Sequence, residues 1–118
     1  PLMIAPVSDR VRLFGIDMDS LTERQTVERL LDWVDAPADH CRFVVTPNVD
    51  HLVQLRSGSP LRIAYSTADL VVPDGVPVVA ASRLLRRPLP ERVNGTNLTI
   101  ALFEAATAER PLRVYLFG

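Results

Sequence analysis

Leu70-Val71-Val72-Pro73-Asp74-Gly75 is a short apolar run that leads directly into a polar turn, and Phe43-Val44-Val45-Thr46-Pro47-Asn48 has the same form. Such runs, bounded by turn residues, are typical of strands that are buried on both faces of a parallel sheet. The polar residues then follow the carboxyl ends of these strands. Because ligands bind along that edge in open α/β sheets, the two stretches predict both a fold and the place of its site.

Helical patterns alternate with the apolar runs. Thr22 and Gln25 form a capping-box pattern, in which each side chain satisfies a free backbone amide of the other, and apolar residues follow at helical spacing. Turn and helix signals predict further helices after Pro47 and after Ser59. The remaining predicted elements are helices over 76–87 and about 97–109, and strands over 11–16, 42–46, 70–72 and 112–117.

This alternation predicts an α/β fold, a Rossmann-like and mostly parallel sheet with helices on both faces. We expect one domain over residues 1–118. A buried parallel strand normally leads into a covering helix, yet the sequence ends at Gly118, directly after the predicted fourth strand. We therefore expect a chain truncated after the fourth strand.

Composition limits the function. The chain has 13 basic and 14 acidic residues, a net charge of −1 and 47% hydrophobic residues, which is typical of a soluble globular protein. It lacks the dense positive charge that nucleic acids require, so we expect no nucleic-acid partner. Its apolar runs are shorter than the ~20 residues of a membrane-spanning helix, and we expect a cytoplasmic protein.

The sequence predicts neither a metal nor a cofactor. Cys41, His40 and His51 do not have the spacing of metal ligands. No Gly-x-Gly-x-x-Gly follows a predicted strand, which argues against a dinucleotide-dependent dehydrogenase.

Asp74 is the candidate general base. A carboxylate is ionised at neutral pH, and a turn at a strand end can present it to a pocket. Gly75 beside it permits positive φ or a close approach of the backbone. The alternative is that Asp74-Gly75 only forms a turn.

Thr46 and Asn48 are candidate substrate-binding residues, since Pro47 between them holds the chain extended and both side chains can face one ligand. Alternatively, one of them caps the following helix. Arg92 can bind phosphate oxygens with its fork of donors. The alternative is a surface arginine that pairs with Glu91 or Asp74. Weaker candidates are Asp17, Asp50, His51 and Asn94.

Three elements taken in order resemble the WecG/TagA/CpsF family of bacterial glycosyltransferases, the N-acetylmannosaminyltransferase-like enzymes of cell-surface polymer assembly. These elements are Thr46-Pro47-Asn48, Pro73-Asp74-Gly75 and Arg92-Val93-Asn94-Gly95-Thr96-Asn97. The resemblance runs from about Val11 to Gly118 and covers the amino-terminal part of such an enzyme. It implies a catalytic base at Asp74 and substrate binding at Thr46, Asn48, Gly75, Arg92, Gly95 and Asn97.

Asn97 departs from the family pattern, which has an aspartate there. That position either caps the next helix or alters specificity.

The resemblance also implies a reaction. A UDP-sugar, such as UDP-N-acetylmannosamine, would donate its sugar with inversion and without a metal to an undecaprenyl-diphosphate-linked sugar acceptor in cell-surface polysaccharide or teichoic acid synthesis. The enzyme would work peripherally at the cytoplasmic membrane face, with membrane contact through a carboxyl-terminal part beyond Gly118. The isolated chain is then expected to be inactive, and a homo-oligomer is allowed. The alternative is a non-catalytic α/β module for nucleotide binding or oligomerisation.

Overall fold

The computed structural model describes residues 10–36 and 39–117. It has the mixed α/β architecture that the sequence predicts. The strands are β1 (Arg10–Leu13), β2 (Ile16–Asp19), β3 (Val44–Val45) and β4 (Leu70–Val71), and the helices are α1 (Glu23–Asp35), α2 (Val49–Arg56), α3 (Leu61–Thr67), α4 (Val76–Leu84) and α5 (Gly95–Ala105).

A parallel pair, β3 and β4, lies at the centre of the fold, with Val44 opposite Leu70 and Val45 opposite Val71. The ladder continues one step past β4, where Val72 N–H donates to the Val45 carbonyl at 3.1 Å. Both strands are short because the chain turns into a polar segment directly after each apolar run.

Helices pack on both faces of this pair, because successive side chains of a strand point to opposite faces. Val71 lies in a core with the β1–β2 hairpin, α2, α3 and α4. Leu70 and Val72 lie in a second core with α1 and α5. The first core is formed by Leu13, Ile16, Met18, Leu52, Leu55, Tyr65, Val71, Val78 and Leu89; the second by Leu21, Leu70, Val72, Val93 and Leu98.

The amino-terminal element is a hairpin, and the prediction of a single strand over 11–16 is wrong. β1 pairs antiparallel with β2, and Leu13 lies opposite Ile16. The two residues between them, Phe14 and Gly15, have φ values of 53° and 79°. Positive φ at both central positions suits the right-handed twist of a two-residue hairpin. Glycine adopts such a φ readily, whereas phenylalanine rarely does.

A buried carboxylate connects this hairpin to β4. Asp19 is 1% exposed, and its Oδ2 accepts the Val71 N–H at 2.8 Å. Arg10 donates to both carboxylate oxygens, at 3.0 and 3.2 Å. Since β2 and β4 belong to separate two-stranded sheets, this side chain provides the hydrogen bond that a backbone ladder would otherwise provide.

The helix boundaries follow local signals. The capping box of Thr22 and Gln25 is confirmed at the start of α1. α4 ends at Leu84, three residues earlier than predicted. Arg86 adopts a φ of 58°, and Arg87 N–H donates to the Ser82 carbonyl at 2.9 Å. This is the left-handed end of a helix that glycine usually provides. α5 covers Gly95–Ala105 rather than 97–109.

The predicted fourth strand, over 112–117, is wrong. The segment forms no strand with any described residue, and Tyr115 and Phe117 are 86% and 92% exposed. Its sequence suits a strand, but a strand forms only where another backbone supplies hydrogen bonds. The sheets therefore comprise one parallel and one antiparallel pair.

None of the helices within residues 10–36 and 39–117 has the length and the hydropathy of a membrane-spanning segment.

Candidate functional site

Three polar segments that lie far apart in the sequence meet at the carboxyl ends of β3 and β4. Asp74 N–H donates to the Pro47 carbonyl at 2.8 Å, and Val93 N–H donates to the Pro73 carbonyl at 2.7 Å. A Cβ atom at Gly95 would lie 3.9 Å from Thr46 Oγ1. We call residues 46–48, 73–75 and 92–95 together the strand-end edge. Backbone hydrogen bonds fix its three segments against one another.

Three helices begin at the strand-end edge. α2 begins directly after Asn48, α4 directly after Gly75 and α5 directly after Asn94. The amino end of each helix carries a partial positive charge from its aligned peptide dipoles and its free N–H groups. The three helix ends therefore contribute partial positive charge to the edge.

Two asparagines cap these helices. Asn48 Oδ1 accepts the His51 N–H at 2.9 Å, so the alternative of a helix cap is confirmed for this residue. Its side-chain NH₂ group remains available to a ligand, because the cap uses only the oxygen. Asn94 Oδ1 accepts the N–H groups of Thr96 and Asn97, at 2.8 and 3.2 Å. Asn94 is therefore the cap of α5, and the alternative of a cap at Asn97 is not observed.

Asp74 is held at its backbone while its carboxylate stays available. Pro73 before it is fully buried, and Asp74 itself is partly exposed. In the described part of the chain, the Asp74 carboxylate has no hydrogen-bond or ion-pair partner. Gly75 has a φ of 154°, a conformation that favours glycine. The turn therefore needs this glycine to redirect the chain into α4.

Arg92 lies on the surface of the edge, beside an anchored neighbour. Val93 is 0% exposed, and its N–H donates to the Pro73 carbonyl, which fixes the backbone at this point. The Arg92 side chain, in contrast, is exposed. Among the described residues, Arg92 forms no ion pair with Glu91, Asp74 or another carboxylate. The alternative of a locally paired arginine is therefore not observed.

The sequence matches a known family along nearly all of its length. A model of the glycosyl transferase WecG/TagA/CpsF family matches residues 11–118. The chain belongs to this family.

Two relatives are N-acetylglucosaminyldiphosphoundecaprenol N-acetyl-beta-D-mannosaminyltransferases. The protein from Bacillus spizizenii is 32% identical over 76 residues, which cover 64% of this chain and 29% of the relative. The protein from Staphylococcus aureus strain NCTC 8325 is 28% identical over 109 residues, which cover 92% of this chain and 42% of the relative. The chain thus spans less than half the length of these transferases.

The weaker candidates have structural contacts in this WecG/TagA/CpsF family member. Asp17 pairs with Arg12 across the hairpin at 3.2 Å, and Asp50 accepts from Gln54 Nε2 at 3.0 Å. His51 Nδ1 lies 3.1 Å from the Tyr65 hydroxyl. Because burial raises the pKa of Tyr65 to about 12, this hydroxyl stays protonated and can donate to the imidazole.

Asp19 is the residue that sequence reasoning missed. Its signal was present in Val11-Arg12-Leu13-Phe14-Gly15-Ile16-Asp17-Met18-Asp19, where apolar residues alternate on each side of a two-residue turn. The alternation would have revealed the hairpin. It would not have revealed the hydrogen bond to Val71, which lies 52 residues away.

Two clefts lie apart from the strand-end edge of this family member. One, of about 720 Å³, lies between the hairpin and α3 and includes Arg10, Arg12 and Tyr65. The other, of about 520 Å³, lies between α1, α5 and the segment around Tyr115. The first cleft includes Asp17, one of the weaker candidates, and neither cleft includes a residue of the strand-end edge. Among the residues that the structure describes, no three His, Cys, Asp or Glu side chains are placed to hold a metal ion.

Proposed function

We propose that this chain is part of an inverting glycosyltransferase that moves an N-acetylhexosamine from a UDP-sugar to a diphosphoundecaprenol-linked sugar. One observation supports this proposal above all: three family elements, separated in sequence, are joined by backbone hydrogen bonds into one edge. The names of the relatives supply the lipid-diphosphate acceptor and the N-acetylmannosaminyl group. The UDP-linked donor remains our proposal.

Asp74 would act as the general base. An inverting transfer is a single displacement, in which an acceptor hydroxyl attacks the anomeric carbon as the bond to the diphosphate breaks. The hydroxyl proton must pass to a base within hydrogen-bond reach. Asp74 suits this role because its backbone is fixed by Pro47 while no described group occupies its carboxylate.

Thr46 and Asn48 would hold the sugar. Thr46 Oγ1 lies beside Gly95, and Asn48 keeps its NH₂ group free while its oxygen caps α2. Gly75 and Gly95 carry no side chain that would fill the space between these groups. A sugar could therefore approach the backbone of the edge closely.

The departing diphosphate needs positive charge. Arg92 offers a fork of N–H donors with no competing carboxylate in the described structure. The amino ends of α2, α4 and α5 add partial positive charge at the same edge. Asn97, in the first turn of α5, is exposed and could contact the same group. Together these groups would stabilise charge that develops on the leaving oxygen.

The reaction would place the enzyme at the cytoplasmic face of the membrane, in cell-surface polymer synthesis, because the acceptor is lipid-linked. A homo-oligomer is compatible with this arrangement.

The decisive experiment changes Asp74 to Asn in the enzyme that contains this chain. Asparagine keeps the size of the side chain but cannot accept a proton from a hydroxyl. We expect transfer to a diphosphoundecaprenol-linked sugar to fall roughly 10²–10⁴-fold with little change in the KM of the donor. Circular dichroism should show an unchanged fold. A variant that transfers at the original rate would favour the non-catalytic binding module instead.

Arg92→Gln tests the diphosphate site separately. We expect weaker UDP-sugar binding and slower transfer, since the charge that stabilises the leaving group is lost. Arg113→Gln is the matched control, because Arg113 is exposed and lies outside the strand-end edge. Equal effects of the two substitutions would remove Arg92 from the proposed site.

A further inference from the structure

One face of α4 is apolar and uncovered in the described structure. Val76, Ala80 and Leu84 recur every four residues, so they lie on the same side of the helix. Val76 is 64% and Leu84 85% exposed, and Pro77 and Ala80 beside them are exposed too. We call these four residues the outer face of α4. The opposite side contributes Val78, Val79 and Ser82, which are buried.

Positive charge surrounds the carboxyl end of this face. Between Gly75 and Pro90 the sequence contains three arginines, Arg83, Arg86 and Arg87, and no acidic residue. In the part of the chain that the structure describes, none of them pairs with a carboxylate. Their recorded side-chain bonds go to backbone carbonyls: from Arg83 to Pro90 at 3.4 Å and from Arg87 to Arg12 at 3.1 Å.

The contact of Arg87 with Arg12 extends the patch to the hairpin. Arg12 is exposed, and the hairpin turn beside it carries Phe14, which is 45% exposed. The carboxyl end of α4 thus presents arginines next to large apolar side chains. The hairpin turn adds an exposed phenylalanine but no net charge, because Asp17 pairs with Arg12 at 3.2 Å. A purely electrostatic surface, such as one for nucleic acid, would not need exposed leucine and phenylalanine.

We propose that the outer face of α4, with the arginines at its carboxyl end, is a docking surface for an anionic lipid bilayer. On the bilayer, α4 would lie parallel to the interface, with its exposed apolar side chains among the acyl chains and the arginines beside lipid phosphates. The charge of the patch complements an anionic leaflet, and its apolar side chains match the hydrocarbon below the head groups.

This surface is continuous with the strand-end edge, since α4 begins directly after Asp74 and Gly75. With α4 lying on the bilayer, its amino end would keep Asp74 at the level of the head groups. A lipid-linked diphosphate sugar would occupy that same level. This last step rests on the proposed function, whereas binding to the bilayer does not.

The test is sedimentation of the 118-residue chain with vesicles of phosphatidylcholine, with and without phosphatidylglycerol. We expect binding to the anionic vesicles and little binding to the neutral ones. Arg83→Gln with Arg86→Gln should lower the partition coefficient roughly thirtyfold, because each arginine near an anionic surface contributes a factor of about five. Leu84→Gln should lower it about tenfold through lost apolar contact.

Matched controls separate the patch from general charge and hydrophobicity. Arg56→Gln with Arg113→Gln removes two exposed arginines elsewhere, and Ile63→Gln removes an apolar side chain that is 70% exposed on α3. Both controls should bind vesicles as the unmodified chain does. Circular dichroism of every variant verifies that the fold is intact.

Several outcomes would overturn the proposal. One is the absence of binding to anionic vesicles, and another is an equal loss of vesicle binding in the control variants. A third is self-association, seen in light scattering and abolished by Leu84→Gln, which would identify a second copy of the chain as the occupant. Asp74→Asn separates this proposal from the proposed function: it should bind vesicles normally even where it transfers no sugar. Normal transfer to a water-soluble acceptor by a variant that no longer binds vesicles would support the docking surface as distinct from the chemistry.

Discussion

Asp19 ends β2 and Asp74 follows the carboxyl end of β4, yet their surroundings are opposite. Asp19 is 1% exposed, and Arg10 and the Val71 N–H occupy its oxygens. Asp74 is partly exposed, and its carboxylate has no partner in the described structure. The first carboxylate therefore holds the strands together, while the second is available for chemistry. The same side chain serves structure where it is paired and buried, and can serve catalysis where it is anchored only through its backbone.

The largest effect on stability is expected from Asp19→Ala. The change leaves Arg10 without its carboxylate and the Val71 N–H buried without an acceptor. We expect a loss of about 2–4 kcal/mol in the free energy of unfolding, because the groups that remain are desolvated without the hydrogen-bond partner that compensated for it. Urea denaturation followed by circular dichroism measures this loss.

Asp17→Ala is the matched control for Asp19→Ala. It removes a hairpin carboxylate whose side chain is 45% exposed. The side chain of its partner Arg12 is 61% exposed. Exposed pairs of this kind contribute less than about 1 kcal/mol. Similar losses for the two variants would show that Asp19 does not connect the hairpin to β4.

The next effect concerns the glycines of the strand-end edge. Gly75→Ala should cost about 1–3 kcal/mol, because a φ of 154° is strained for any residue with a side chain. Gly95→Ala is the control: its φ is ordinary, and the new Cβ would meet Thr46 Oγ1 at 3.9 Å, an ordinary contact. Thermal unfolding should distinguish the two. Equal melting temperatures would mean that the turn after Asp74 does not depend on glycine.

The contrast between local and distant signals explains which parts of the fold could be predicted. The strands around Val45 and Val71, the capping box at Thr22 and the convergence of Thr46 with Asp74 follow from short apolar runs and turn residues. The segment 112–117 has an equally apolar pattern, but a strand needs a partner backbone that a local pattern cannot supply.

The convergence of the segments of the candidate site was predicted in part for the same reason. Its three segments could be placed at one edge because parallel strands end on the same side of a sheet. The cap at Asn94 was not assigned, since the sequence also offered Asn97 three residues later. Only the geometry of the turn shows which side-chain oxygen accepts hydrogen bonds from the Thr96 and Asn97 N–H groups.

A smaller effect on stability is expected from substitution of these two asparagines. It distinguishes a side chain that caps a helix at the strand-end edge from one that makes no hydrogen bond among the described residues. Asn94→Ala removes the acceptor for two amides at the start of α5 and should cost about 1 kcal/mol. Asn97→Ala removes a side chain with no recorded bond among the described residues and should change stability by less than about 0.5 kcal/mol. The reverse order in urea denaturation would contradict the assignment of the cap.

The smallest effect is a pH dependence at the opposite, amino ends of the same strands. The hydrogen bond to Asp39, and then that to Asp69, raises the pKa of His40 above its usual 6.5. The Phe43 N–H, and then His40, lowers the pKa of Asp69 below its usual 3.8. The histidine contributes stability that is complete below pH 6.5 and is lost as the pH rises through its raised pKa. The aspartate contributes stability that is complete above pH 3.8 and is lost as the pH falls through its lowered pKa.

Stability from this cluster should therefore be greatest between about pH 3.8 and 6.5. The urea midpoint of the chain should decline slightly above that window, and His40→Gln should remove this decline because glutamine does not titrate. The effect is small because both partners of the pair between His40 and Asp39 are exposed to solvent. An unchanged slope above pH 6.5 in His40→Gln would assign the dependence to other groups.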